Sequence, residues 1–456
     1  MPTKSYRLFL ISLIILLSSQ DLWADDLMQV YRQAAASDPQ LRAADATRQA
    51  NLEAKPQARA LLLPTLGVSA QKERNFNVDR NFQPTDSTIE SARQEFTTHN
   101  YGVNLTQPLF RRDNLVRQRQ AEVTVKQAEV DYLSAQQALI LRVAQGYFGV
   151  LSALDTLTAV TAAKNAFARQ LEQANQRFQV GLATITDVYD AQARFDLALA
   201  DEVAARRALD DSHEALRQLT GEYYEQLYEI NEKAPFDPPK PAKPEIWIAK
   251  AMANNPQLQS ATLTVENARE NIKLQKAGHY PSLDLKAGYF DTDSAGSVGG
   301  VVNTTGNFVG LELNIPIYQG GAVVSRTREA AYRYETAKQN REDQQRFITR
   351  RVRDTYQGVL TDIRRIKAYD QARVSSKSAL EANQAGFEVG TRTIIDVLNA
   401  TRDLYQAQRN YAVSRYDYIL DYLRLLQASG EINESHLEKV NRWLQPPKTK
   451  QFVNLP

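Results

Sequence analysis

The chain carries one plan written twice, and this constrains its fold more than any other feature. Asp38-Pro39-Gln40-Leu41 returns as Asn255-Pro256-Gln257-Leu258, and Leu63-Pro64-Thr65-Leu66 returns as Tyr280-Pro281-Ser282-Leu283. Leu105-Thr106-Gln107-Pro108-Leu109-Phe110 returns as Leu313-Asn314-Ile315-Pro316-Ile317-Tyr318. Phe178-Gln179-Val180-Gly181 with Thr184-Ile185 and Asp187-Val188 returns as Phe387-Glu388-Val389-Gly390 with Thr393-Ile394 and Asp396-Val397. The offset changes between residues 64 and 105, where one copy has the longer loop. Separated signatures in the same order imply one structural unit built twice and packed with pseudo-symmetry. The copies are expected over 25–221 and 246–430. Between them, residues 222–245 hold the run from Pro235 to Pro244, whose five prolines in ten residues forbid helix or central strand and predict a stiff crossover. Pro446-Pro447 ends the last helix, and 431–456 reads as a closing segment and tail.

Each copy reads as helix, two strands, then two long helices. Residues 27–58 are rich in Ala, Leu, Glu and Gln, with Pro39 near the start, and predict helix. Strands are expected near 65–72 and 96–107, with the polar stretch 73–95 as a loop, and near 282–291 and 307–316, with a Gly/Asn/Thr loop between. Tyr101, Val103 and Leu105 share a face opposite Asn100, Gly102, Asn104 and Thr106. Leu283, Leu285, Ala287 and Tyr289 share another, as do Val309, Leu311, Leu313 and Ile315. Such alternation suits a transmembrane barrel, apolar outward and polar inward. It equally suits a water-soluble sandwich with one buried face. Four strands cannot close a channel-sized barrel, and open edges are not tolerated in hydrocarbon. If these strands cross a membrane, several subunits must therefore share one barrel.

The helices are unusually long. No proline interrupts Asp113–Phe178 or Gly321–Phe387, and each stretch would run for about 100 Å at ~1.5 Å per residue. Leu139, Val143, Tyr147, Leu151 and Leu154 recur at coiled-coil-like spacing. Helices of this length make a stalk or a tunnel wall rather than a compact enzyme.

Composition excludes several function classes. There are 55 basic and 53 acidic residues, so no basic excess points to nucleic acid. With no cysteine there is no disulfide, thiolate nucleophile, cysteine metal site or lipidation cysteine. The histidines His99, His213, His279 and His436 show no paired metal spacing, and there is no phosphate loop or nucleophile elbow. No enzymatic activity, cofactor or metal is expected. Lys4 and Arg7, the apolar run Leu8–Leu17 and the end Leu22-Trp23-Ala24 predict a signal peptide over 1–24. After it, no segment reads as a transmembrane helix.

Each long helix stops at a tight turn, Val180-Gly181-Leu182-Ala183-Thr184 and Val389-Gly390-Thr391-Arg392-Thr393. Glycine accepts the positive φ that ends a helix. Thr184 and Thr393 are expected N-caps, with Asp187 and Asp396 completing capping boxes. The return helices are expected over roughly 185–219 and 394–428.

Taken with the duplication and Leu-Thr-Gln-Pro-Leu-Phe at 105–110, these turns resemble the TolC family of outer-membrane efflux and type I secretion proteins. The resemblance covers about Asp26 to Trp443. It implies a mixed α/β membrane protein: a homotrimer giving four strands per subunit to a 12-stranded outer-membrane β-barrel, continuous with a long periplasmic α-helical barrel. It further implies an equatorial belt formed by 222–245 and the region after Gly430, and periplasmic tips at Gly181 and Gly390. The implied partners are outer-membrane lipid, a periplasmic adaptor (membrane fusion) protein and an inner-membrane transporter of RND or ABC type. The cargo would be small toxic molecules, secreted polypeptides or both.

In such proteins links between tip helices close the periplasmic entrance. Here Arg392 and Phe387 match one side of those links, and Thr186 and Asp187 the other. Arg392 could offer Asp187 a two-pronged guanidinium fork. Asp396 matches a constriction-ring aspartate. The second ring position holds Asn399, a departure that removes one ring of charge. Plainer roles remain open: local capping for Asp187 and Asp396, a solvated turn for Arg392, an uninvolved surface residue for Asn399. A periplasmic adaptor built on coiled coils is the alternative reading, disfavoured because it would have one hairpin and no strand pairs between helices.

Overall fold

The computed structural model describes residues 24–82, 90–297 and 300–447. The signal-peptide reading, Ala24 apart, and the tail from 448 lie outside them. The elements in chain order are helices α1 (Leu27–Ser37), α2 (Pro39–Leu52) and α3 (Ala54–Ala60), strands β1 (Thr65–Phe82) and β2 (Glu90–Arg111), and helices α4 (Arg112–Gln179) and α5 (Ile185–Thr220). A two-residue strand, β3 (Glu229–Ile230), leads to helices α6 (Pro244–Asn254) and α7 (Pro256–Lys276). Strands β4 (Ser282–Ser297) and β5 (Gly300–Asn314) follow, then helices α8 (Ala322–Glu388), α9 (Ile394–Ala428) and α10 (Glu434–Asn441), and strand β6 (Leu444–Gln445). Helices, two strands and two long helices thus occur twice in the same order. The chain divides into two compact units.

One unit comprises residues 45–132 and 257–344. Its centre is an antiparallel sheet in the order β1-β2-β4-β5. The strands are longer than the sequence suggested, with 18, 22, 16 and 15 residues. The stretches expected as loops at 73–95 and 292–305 are largely strand, because the hairpin ladders keep pairing through polar sequence: Glu73 faces Thr98, Arg74 faces Thr97, and Thr292 faces Thr304. Single-strand composition carries no information about a partner strand's backbone, and that partner decides whether Asn and Asp stay extended. The register aligns Leu66, Leu105, Ala287 and Val309 in one row across all four strands. Beside it Val68, Val103 and Tyr289 align. On this face Val68 is 81% exposed and Val309 77%. The opposite face carries Asn104, Lys286 and Glu312, the last two joined by an ion pair of 2.5 Å, and also Phe290 and Phe308. At the sheet's base Arg111 grips the buried Asp284 through two bonds of 2.9 and 2.6 Å.

The other unit comprises residues up to 44, 133–256 and from 345 onward. Leu139, Val143, Tyr147 and Leu151 are all buried, whereas Leu154 is only partly so. Tyr147 is fully enclosed and its hydroxyl donates to the carbonyls of Asp25 and Tyr228 at 3.2 and 2.9 Å, so no polar atom is stranded there. The expected single helix over 27–58 is broken. Asp38 takes an extended ψ of 118° before Pro39, as residues preceding proline do. Its buried carboxylate accepts from Leu41 N–H at 2.9 Å and from Arg142 at 2.6 Å. Burial would push this carboxyl up, but the Arg142 bond and the backbone N–H groups hold it below its ordinary value. The proline-rich crossover forms neither helix nor strand from 231 to 243. It is pinned where Trp247 donates to the carbonyl of Pro241 (2.9 Å) and Tyr418 to that of Asp237 (2.8 Å).

One helix, α4, does contain a stretch long and apolar enough to cross a membrane, at mean hydropathy 1.2, correcting the expectation that none would. Of that stretch, 56% is buried inside the protein, which makes it core.

Candidate functional site

The two helix-ending turns lie in the helical unit and are built alike. Gly181 and Gly390 take φ of 76° and 78°. Leu182 N–H returns to the carbonyl of Arg177 and Thr391 N–H to that of Gly386, both at 2.8 Å. These bonds satisfy carbonyls that a helix end leaves open. Each turn then starts the next helix with a complete capping box. The hydroxyl of Thr184 accepts from Asp187 N–H, while the Asp187 carboxylate accepts from Thr184 N–H at 2.8 Å. Thr393 and Asp396 repeat the arrangement, with Thr393 N–H donating at 3.0 Å. The backbone N–H and hydroxyl of Thr393 and, less strongly, the nearby Arg392 charge hold the Asp396 carboxyl below its usual range.

Behind the turns the four helices meet in an apolar cluster. Phe167, Ala174, Ala191, Ala198, Ile394 and Leu398 are buried, and Val188 and Phe387 pack against them. Alanine at three of these positions lets the backbones approach closely. The structure therefore packs Phe387 against a cluster shared by α4, α5 and α9. Thr186 stands at the surface with its hydroxyl 2.6 Å from that of Thr184. Asp187 commits one carboxylate oxygen to Thr184, and among the described residues no ion pair joins it to Arg392. Asn399 is half-buried and accepts from Arg194 at 3.2 Å.

Two partners had not been singled out from sequence. The Arg177 guanidinium lies over the Phe387 ring, 4.3 Å from its centroid. Arg194 holds Asn399 from α5. No motif signals either, because each pairs side chains from different copies of the repeat. Around the turns Val180, Leu182, Val389 and Tyr189 are exposed, an apolar rim that water does not favour. Among the described residues no His, Asp and Glu group could hold a metal.

The model for "outer membrane efflux protein" matches residues 30–222 and 247–431. The chain belongs to that family. Its sequence is 42% identical over 436 residues to the outer membrane protein TolC of Vibrio cholerae, covering 94% of this chain and 96% of that one. It is 40% identical to the TolC of Escherichia coli, covering 95% and 87%. The fold is shared with the crystal structure of the Campylobacter jejuni CmeC outer membrane channel, at a TM-score of 0.76 and 18% identity, over 92% of this chain and 90% of that one. Efflux-family membership gives this chain the role of a non-catalytic outer-membrane channel of an efflux or secretion system.

Proposed function

We propose that three copies of this chain form a passive exit duct through the outer membrane, closed at its periplasmic end until an adaptor and an inner-membrane transporter of RND or ABC type engage it. The observation that carries the proposal is the four-stranded sheet with an exposed apolar face and outer strands β1 and β5. An apolar face in contact with lipid requires that every backbone group at those two outer strands be paired, since an open edge in hydrocarbon costs several kcal/mol per group, on the order of 4–8. Pairing β1 of one copy with β5 of the next closes a barrel and removes all edges; three copies give the family's 12 strands. The helical unit is then periplasmic, with 222–245 and the region after Gly430 forming its belt.

At the tips, Arg392 and Phe387 on one side and Thr186 and Asp187 on the other form the latch. Asp187 keeps lone pairs beyond its capping bonds, so an arginine fork can be added without dismantling the turn. Exposed links of this kind are worth about 0–1 kcal/mol each, a scale suited to a gate that must open. Asp396 supplies one ring of three carboxylates at the constriction. Asn399, already bonded to Arg194, supplies none, and weaker cation selectivity follows. The exposed Val180, Leu182 and Val389 give an adaptor apolar ground at the tips. Cargo choice belongs to the transporter, and both small toxic molecules and polypeptides fit the duct.

Single-channel conductance of the purified protein in a planar bilayer tests this, parent against Arg392→Ala. Small, uniform, cation-preferring steps that enlarge in the variant support the duct and its latch. If folded, inserted protein forms no channels, the duct reading fails; if Arg392→Ala conducts like the parent, the latch fails alone.

A further inference from the structure

Among the differences between the two tip turns, one pair of positions exchanges bulk. With Phe178 set against Phe387, Arg177 in the first copy stands where Gly386 stands in the second, and Ala183 stands where Arg392 does. Each turn therefore has one long side chain and one minimal one, in opposite places. The reason is visible at Gly386, in the last turn of α8. A Cβ built there would lie 2.6 Å from Cγ of Arg392, 3.4 Å from its Cβ and 3.2 Å from the Thr391 hydroxyl. Real Cβ contacts essentially never fall below 3.0 Å. The atom in the way is the base of the arginine stem, which cannot swing aside without changing the first side-chain rotamer. The backbone cannot give easily either, since the Gly386 carbonyl accepts from Thr391 N–H, Arg392 N–H and the Thr391 hydroxyl at 2.8, 3.2 and 3.1 Å. In the first turn the exchange runs the other way: Ala183 has no stem to be seated, and Arg177 sends its guanidinium over the Phe387 ring at 4.3 Å.

We propose that Gly386 is a positioning residue for the tip latch: having no side chain, it seats the Arg392 stem against the end of α8 and so fixes where the guanidinium stands. The inference rests on the reading of Arg392 as a latch. A Gly-to-Ala change within a helix ordinarily stabilises, because it restricts the unfolded chain. Here the seat inverts that sign.

The test is a double-variant cycle on the purified channel, reading conductance in planar bilayers and melting temperature by circular dichroism. Gly386→Ala should raise conductance towards the Arg392→Ala level and should lower the melting temperature. In the Arg392→Ala background, where Cγ is gone and the Thr391 hydroxyl at 3.2 Å is the tightest neighbour left, the same change should leave conductance unaltered and should lower the melting temperature less than it does in the parent. If Gly386→Ala alone fails to assemble while the double variant assembles, the clash with the arginine stem is shown directly. The inference is overturned if Gly386→Ala conducts like the parent while Arg392→Ala does not, if its effects are the same in both backgrounds, or if neither variant assembles. If Arg392→Ala itself conducts like the parent, the latch reading fails, a result separate from the others.

Discussion

Replacing Asp362 by Asn should stabilise the protein at neutral pH, a reversal of the usual sign for removing a charged group from a folded chain. Asp362 on α8 is only 5% exposed at its side chain and faces Asp417 and Asp421 on α9. Arg365 reaches Asp362 at 3.2 Å and Asp417 at 3.5 Å, while Arg424 is bonded to Asp421 at 2.8 Å. Three carboxylates thus share two guanidinium groups, and among the described residues one Asp362 oxygen accepts no hydrogen bond. Burial first, then the Asp421 charge, push the Asp362 carboxyl from 3.8 up to about 6. The folded protein therefore holds a proton that the unfolded chain releases near the ordinary aspartate value. This group's contribution is fully present below the unfolded value and is lost as pH rises through about 6. At ~1.36 kcal/mol per unit the whole shift would cost about 3 kcal/mol at pH 7. Screening by the half-exposed Arg365 reduces this to about 1–2 kcal/mol. Asparagine keeps the shape, carries no charge and can donate to Asp421. Unfolding monitored by circular dichroism from pH 4 to 8 would show the gap between Asp362→Asn and parent widening in the variant's favour between pH 4 and 6, then levelling. A gap that is flat across this range, or that narrows as pH rises, would refute the reasoning.

The remaining predictions concern the folded chain's joints. Gly430 has φ 77°, and a Cβ there would meet the Asn254 backbone at 2.5 Å, whereas Gly221 has the same φ and open space. Gly221→Ala should cost about 1–2 kcal/mol for the left-handed conformation alone, and Gly430→Ala clearly more, measured as the difference in denaturant midpoint. Asp38→Ala should cost about 3 kcal/mol, the low end for a broken buried pair because Arg142 is a quarter exposed. The parent's share of that stability should be present above the ordinary aspartate range and lost on acidification through the lowered Asp38 value, which a denaturant series at falling pH would read. Thr184→Ala and Thr393→Ala should each cost about 1 kcal/mol of helix capping, seen as faster amide exchange confined to the first turns of α5 and α9.

Much of the helical architecture was legible in the sequence. The ends of α5 and α9 follow from Thr, Asp and Gly at fixed short spacings, and capping chemistry is local, involving residues three or four apart. The duplication was equally legible, because signatures repeat in order whatever their environment. The break at Asp38 was less so: Pro39 announced it, but a continuous helical composition on both sides masked it. The strand lengths were not legible, since Glu73, Arg74 and Thr292 stay extended only because a neighbouring strand supplies hydrogen-bond partners. At the tips, Asp187 and Asp396 could be placed as caps from spacing, whereas Arg177 on Phe387 and Arg194 on Asn399 join residues more than two hundred positions apart.

The division has one physical reason. What depends on backbone conformation over a few residues is encoded where it acts, so the sequence by itself determined the repeat, the long helices, their stops and their caps. What depends on two side chains meeting across the fold is set by packing, so only the tertiary structure decided that Asp362 faces Asp421, that a cluster of alanines brings four helices together, and that Gly386 lies beneath Arg392.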